Sequence, residues 1–213
     1  MSIELTFILS APRLALVDAV YFVDQGLMKA GYKHDPTIIR IDMSHVPGLS
    51  NHTEVEIPFT SSQQGGIAGW MALNMGFFSD NTSPLDVSAA QWDQETTNVY
   101  VDVNINVLSR QPRSDYFGRY LSAIVEIARS IGALGGVGGF EFGFERIDLG
   151  ILFAAIVNNP GNPGFPSEMG LVKSSEMDEA SIRSMASGSF KIEAHDEYWL
   201  LLSKDFLQLL ENE

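Results

Sequence analysis

The sequence predicts an α+β fold, a mainly antiparallel sheet with helices packed on it, in a single domain spanning residues 1–213. Three observations point there. The stretch 98–108, NVYVDVNINVL, has a period of two: Val99, Val101, Val103, Ile105 and Val107 face one side, and Tyr100, Asp102, Asn104 and Asn106 the other. That pattern belongs to a half-buried strand of antiparallel type. The stretch 114–132, SDYFGRYLSAIVEIARSIG, has a capping Ser114 and an apolar stripe of Phe117, Tyr120, Leu121, Ile124, Val125 and Ala128 at helical spacing. Finally, strand and helix patterns mix without the strict alternation that a parallel sheet requires.

The other elements follow in order. Residues 2–9, SIELTFIL, alternate weakly and form a strand. Pro12 then opens a helix to about Ala30, with Leu16, Val20, Val23, Leu27 and Met28 at helical spacing and Gly31 as its stop. TIIRIDM (37–43) and EVEIPF (54–59) are strands separated by the Pro47-Gly48 turn signal. Residues 61–78, SSQQGGIAGWMALNMGFF, are expected as a helix, and 79–97 as a polar loop carrying Trp92 among acids. After the helix at 114–132 comes a glycine-rich corner, then a strand FEFGFERI (140–147) and an apolar run ILFAAIVN (151–158). A Pro/Gly-rich loop, a short helix DEASIRSMAS, one or two strands in SFKIEAHDEYWLLLS, and a terminal helix KDFLQLLEN complete the chain.

Size and composition exclude several classes. A chain of 213 residues buries a sizeable core without staples. With no cysteine there is no disulfide framework and no thiolate metal site, which fits a reducing compartment. The apolar N-terminal patch lacks a preceding basic region and contains Glu4, so it reads as strand and helix rather than a secretory signal. No apolar run reaches the length of a membrane span, and a soluble cytoplasmic protein is expected.

Charge is the most informative feature. The formal net charge is −14, and no Lys or Arg stands between Arg40 and Arg110. That interval holds Asp42, Glu54, Glu56, Asp80, Asp86, Asp93, Glu95 and Asp102. It cannot neutralise itself locally. It repels nucleic acid and anionic membranes and attracts basic partners.

Catalytic signatures fail on their spacing. A dinucleotide fingerprint needs a strand, G-x-G-x-x-G, then a helix. Here the helix comes first, and Glu141 stands where the third glycine after Gly136 and Gly138 belongs. A P-loop needs a Gly-Lys pair, and none occurs. The glycines are expected to end the helix and turn the chain, and no cofactor is expected. His34, His45, His52 and His195 lack zinc spacing, so no metal is expected. His195 and Asp196 are strand neighbours pointing to opposite faces, and no G-x-S-x-G elbow supplies a nucleophile. A carboxylate and amide cleft built from Asp102, Asn104, Glu141 and Glu145 remains as an enzymatic alternative.

Three stretches carry a family resemblance: GLMKAGY (26–32), GGIAGW (65–70) and GALGGVGGFEFGF (132–144). In these the chain is similar to the immunity protein 52 family, whose members neutralise restriction-endonuclease-like toxins delivered by type VI secretion. The resemblance implies a non-enzymatic protein that binds and neutralises a cognate nuclease toxin and needs no cofactor. An adaptor that loads an effector onto a secretion apparatus is a further alternative. The acidic surface is the expected docking face. Its residues are Asp86, Trp92, Asp93 and Glu95, with Asp196 and Glu197 as a second patch. Trp92 serves there as an interface anchor, or else tucks back into the core.

Overall fold

The computed structural model describes residues 4–41, 55–57, 72–79, 83–108, 113–140, 142, 146–158, 167–186 and 188–212. Strand β1 (Glu4–Pro12) is apolar through almost its whole length, and every residue from Leu5 to Ala11 is buried. It lies near the middle of the sheet, paired antiparallel with a partner on each side. Both its faces are covered, which is why its sequence alternates so weakly.

Helix α1 (Leu16–Lys29) begins after a three-residue connection, so Pro12 ends β1 rather than opening the helix. The turn instead uses Arg13 with φ near +57°. Gly31, with φ near +86°, stops α1 as expected, and its N–H donates to the Met28 carbonyl.

Strands β2 (Tyr32–Ile41), β3 (Val55–Ile57), β4 (Ala72–Ser79), β5 (Ser83–Gln91) and β6 (Thr96–Asn104) follow. Two expectations are corrected here. Residues 72–78 form β4 rather than the end of a helix, and residues 83–91 of the expected polar loop are β5. Each lies between two hydrogen-bonded neighbours, and that pairing overrides local propensity. Residues 61–71 and the Pro47-Gly48 turn lie outside the described residues.

The short helix α2 (Ile105–Leu108) ends the period-two stretch earlier than its pattern suggests. Helix α3 (Arg113–Ile131) buries Tyr120, Leu121, Ile124, Val125 and Ala128, as the stripe predicts. The Ser114 side chain lies outside the described residues.

The glycine-rich stretch is the largest correction. Gly132, with φ near +65°, ends α3, but Gly135–Phe140 is strand β7, not a corner. It pairs with β1 on one side and β8 (Met169–Lys173) on the other. Residues 141 and 143–145 of the expected strand lie outside the described residues. Helix α4 (Leu149–Asn158) precedes β8. Helix α5 (Glu179–Ala186), the hairpin β9 (Phe190–His195) and β10 (Tyr198–Ser203), and helix α6 (Lys204–Asn212) close the chain.

The strands form one sheet in the order β3-β2-β4-β5-β6-β1-β7-β8-β10-β9. Every pairing is antiparallel. Helices cover both faces. Leu5, Phe7, Leu9, Val99 and Val101 pack with α1, α3 and α6. Ile8, Tyr100, Val137, Val172 and Leu201 pack with α4 and α5. The alternation of period two distributes each strand between these two cores.

Candidate interaction surface

Residue by residue, the register gathers part of the expected acidic surface at one end of the sheet. Pro12 pairs with Thr96, so the turn between β5 and β6 sits at the C-terminal end of β1. Ser10 pairs with Gly135, Gly135 with Val172, and Lys173 with Tyr198. The turn between β9 and β10 therefore lies at the same end. Four strand spacings separate β6 from β10, the inner strands of the two turns, about 19 Å at the usual interstrand distance. Asp93, Glu95, Asp196 and Glu197 share this edge.

The first turn is closed by the Trp92 N–H donating to the Thr96 carbonyl at 2.9 Å. Asp93 accepts the Glu95 N–H at 2.8 Å, a side-chain turn that Asp favours. That bond first, and Arg146 after it, hold the Asp93 carboxyl below its usual range. Trp92 is half-buried. Its indole packs on the core beneath α4 and α5 and donates to the Tyr100 hydroxyl at 3.1 Å.

Every acid of this edge that the sequence singles out has a cation beside it. Arg146 meets Asp93 at 2.6 Å, and Arg13 meets Glu95 at 2.7 Å. Arg129 reaches Asp196 at 2.5 Å and Glu126 at 2.6 Å, while Lys173 stands 3.3 Å from Glu197. Two acids of the interval, Asp93 and Glu95, are thus compensated from outside it. Asn98 sets this up. Fully buried, it exchanges two hydrogen bonds of 3.0 Å with the backbone of Ile147 and so positions Arg146. Neither Arg13 nor Arg146 is near Trp92 in sequence, so no spacing signal reveals them.

Asp86 belongs elsewhere. It is exposed on β5 and opposite Asp102 of β6, toward the other end of the sheet. Five residues of strand separate it from Gln91, about 17 Å at the rise of an extended chain. Asp102 accepts the Thr6 hydroxyl at 2.5 Å. Burial pushes its carboxyl up to about 6; the Thr6 bond opposes this, and Glu4 and Asp86 add to it. Asn104 accepts the Asn106 N–H at 2.9 Å and so shapes the start of α2. Glu141 and Glu145, the other half of the enzymatic alternative, lie outside the described residues, as do His45, His52 and the side chain of His34. His195 lies 3.4 Å from Glu193, not beside Asp196. Among the described residues no group of three His, Cys, Asp or Glu is placed to hold a metal. Among them, too, no helix is long and apolar enough to cross a membrane.

Fold and surface together define an α+β protein whose broad antiparallel sheet presents charged turns along one end. No protein-family model matches the chain, and no curated protein does. Among solved structures it is similar to the Pseudomonas aeruginosa T6SS protein PA0821, with 11% sequence identity and a TM-score of 0.51. The match covers 94% of this chain and 65% of that one. At that identity the likeness is one of fold.

Proposed function

We propose that this protein is an immunity protein of a type VI secretion system, which binds a cognate secreted nuclease toxin and neutralises it without catalysis. The observation that carries the reading is the gathering of Asp93, Glu95, Asp196 and Glu197 at one end of the sheet by strand register. Asp148, Glu176 and Asp178 are exposed in connections at the same end. The pairing cations temper this field, yet the whole chain keeps a charge of −14. Such a surface speeds encounter with a basic partner. The fold likeness to a protein named for T6SS supports the same setting.

Co-expression with a cognate nuclease toxin tests the reading directly. Growth is expected to be rescued, and the two chains should co-purify. Asp93→Lys with Glu95→Lys should slow association and flatten its dependence on salt. Asp86→Lys, at the opposite end, should leave the docking contact in place. Binding indifferent to ionic strength between roughly 0.05 and 0.5 M would overturn the electrostatic account.

One observation favours a small-molecule enzyme instead: the Asp102 carboxyl, pushed up to about 6, retains a proton nearer neutral pH than an ordinary aspartate does. Turnover of a small molecule by the purified protein, abolished in Asp102→Asn while the fold is kept, would support that reading.

A further inference from the structure

At the end of the sheet opposite the paired acids, a cavity of about 540 Å³ opens between the starts of β8 and β9, the ends of β7 and β10, and α6. Phe140, Phe190, Phe206 and Leu209 line it together with three serines, and so do two acidic residues, Glu168 and Asp205. The aromatic wall is continuous with the core, since the Phe140 and Phe206 rings lie 5.7 Å apart. Leu209 is 41% exposed at the mouth.

The two carboxylates differ from those of the other end. Asp93, Glu95, Asp196 and Glu197 each face an Arg or Lys. Among the described residues, no cation pairs with Glu168 or Asp205. The backbone holds both in place. The Ser203 N–H donates to the Glu168 carbonyl at 2.8 Å, and Ser203 caps α6 by accepting the Phe206 N–H at 3.1 Å. That cap already uses a donor of the helix N-terminus, and two like charges stand beside it. An anion is therefore disfavoured here, although helix N-termini commonly attract one. Aromatic rings beside acidic residues that no described cation pairs suit the reverse charge: a stem that lies on the rings and a cationic head that meets the acids.

We propose that this cavity binds a guanidinium or ammonium group carried on an apolar stem, as an arginine or lysine side chain or as a free amine. The site is separate from the acidic edge and stands whether or not the toxin-binding reading holds.

Amide NMR of the full chain tests it at constant ionic strength. Agmatine and the peptide Gly-Arg-Gly serve as the two probes, with n-butylurea as the uncharged control. Agmatine should shift the amides of Ser189, Phe190, Asp205 and Leu209 saturably, and n-butylurea should not. Glu168→Gln with Asp205→Asn should weaken binding by about tenfold or more, with the rest of the spectrum unchanged. Tighter binding of the peptide identifies a partner's side chain as the source, and tighter binding of agmatine a free amine. Equal shifts with n-butylurea, shifts confined to residues 92–96, or no saturation by agmatine would each overturn the proposal. Unaltered affinity in the double variant would do so as well.

Discussion

The ring of Phe7 occupies the space that a side chain at Gly138 would need. A Cβ at Gly136 would meet the same ring at 2.5 Å and the Ile8 carbonyl oxygen at 2.5 Å. The glycines of β7 let a central phenylalanine lie flat across the neighbouring strand.

Gly138→Ala should therefore destabilise the protein by about 1–3 kcal/mol through overpacking. Urea unfolding measures this. A neutral substitution would mean that Phe7 has room the structure does not give it. As β7 is paired on both sides and offers no open loop, calorimetry with ATP, NAD or FAD should detect no binding at this strand.

Trp92→Ala should lower stability by about 2 kcal/mol, because half an indole leaves the core and the Tyr100 hydroxyl loses its donor. Tyr100→Phe should cost about 1 kcal/mol through the same bond. If Trp92→Ala leaves the melting temperature unchanged but speeds toxin dissociation, the indole acts as an interface anchor instead.

Ile124 is fully buried on α3, facing the sheet. Ile124→Ala should cost about 2–5 kcal/mol through lost transfer energy and a residual cavity. A loss below roughly 0.5 kcal/mol would place that stripe at a surface.

Asp102 gives a pH signature. Its folded value, about 6, exceeds that of a free aspartate, so the native state holds the proton longer. The contribution is fully present below about pH 4 and is lost as pH rises through about 6. Asp102→Asn keeps an acceptor for Thr6 and removes the charge. It should stabilise the protein by about 2 kcal/mol at pH 7, and the gain should shrink toward zero near pH 4. Urea curves across that range measure the difference, and a gain independent of pH would contradict a buried carboxylate.

The sequence determined the α+β class, because periods of two and 3.6 persist wherever an element has one buried face. Helices α1, α3, α5 and α6, the alternating strand β6 and the β9–β10 pair were legible for that reason. Strands β4 and β5 were not. Residues 72–78 carry little β-branched chemistry, and 83–91 read as loop until β2, β4 and β6 supply their hydrogen bonds. The GGVGGF strand was hidden too, since Gly136 and Gly138 answer to Phe7, far away in the chain. The sequence also exposed an acidic interval without a single Lys or Arg, and the candidate residues within it. Only the tertiary structure decided that Arg13 and Arg146 stand over two of them, and that Asp86 lies toward the other end of the sheet. Charge along a chain is local information; charge on a surface depends on register and strand order, which nonlocal backbone pairing sets.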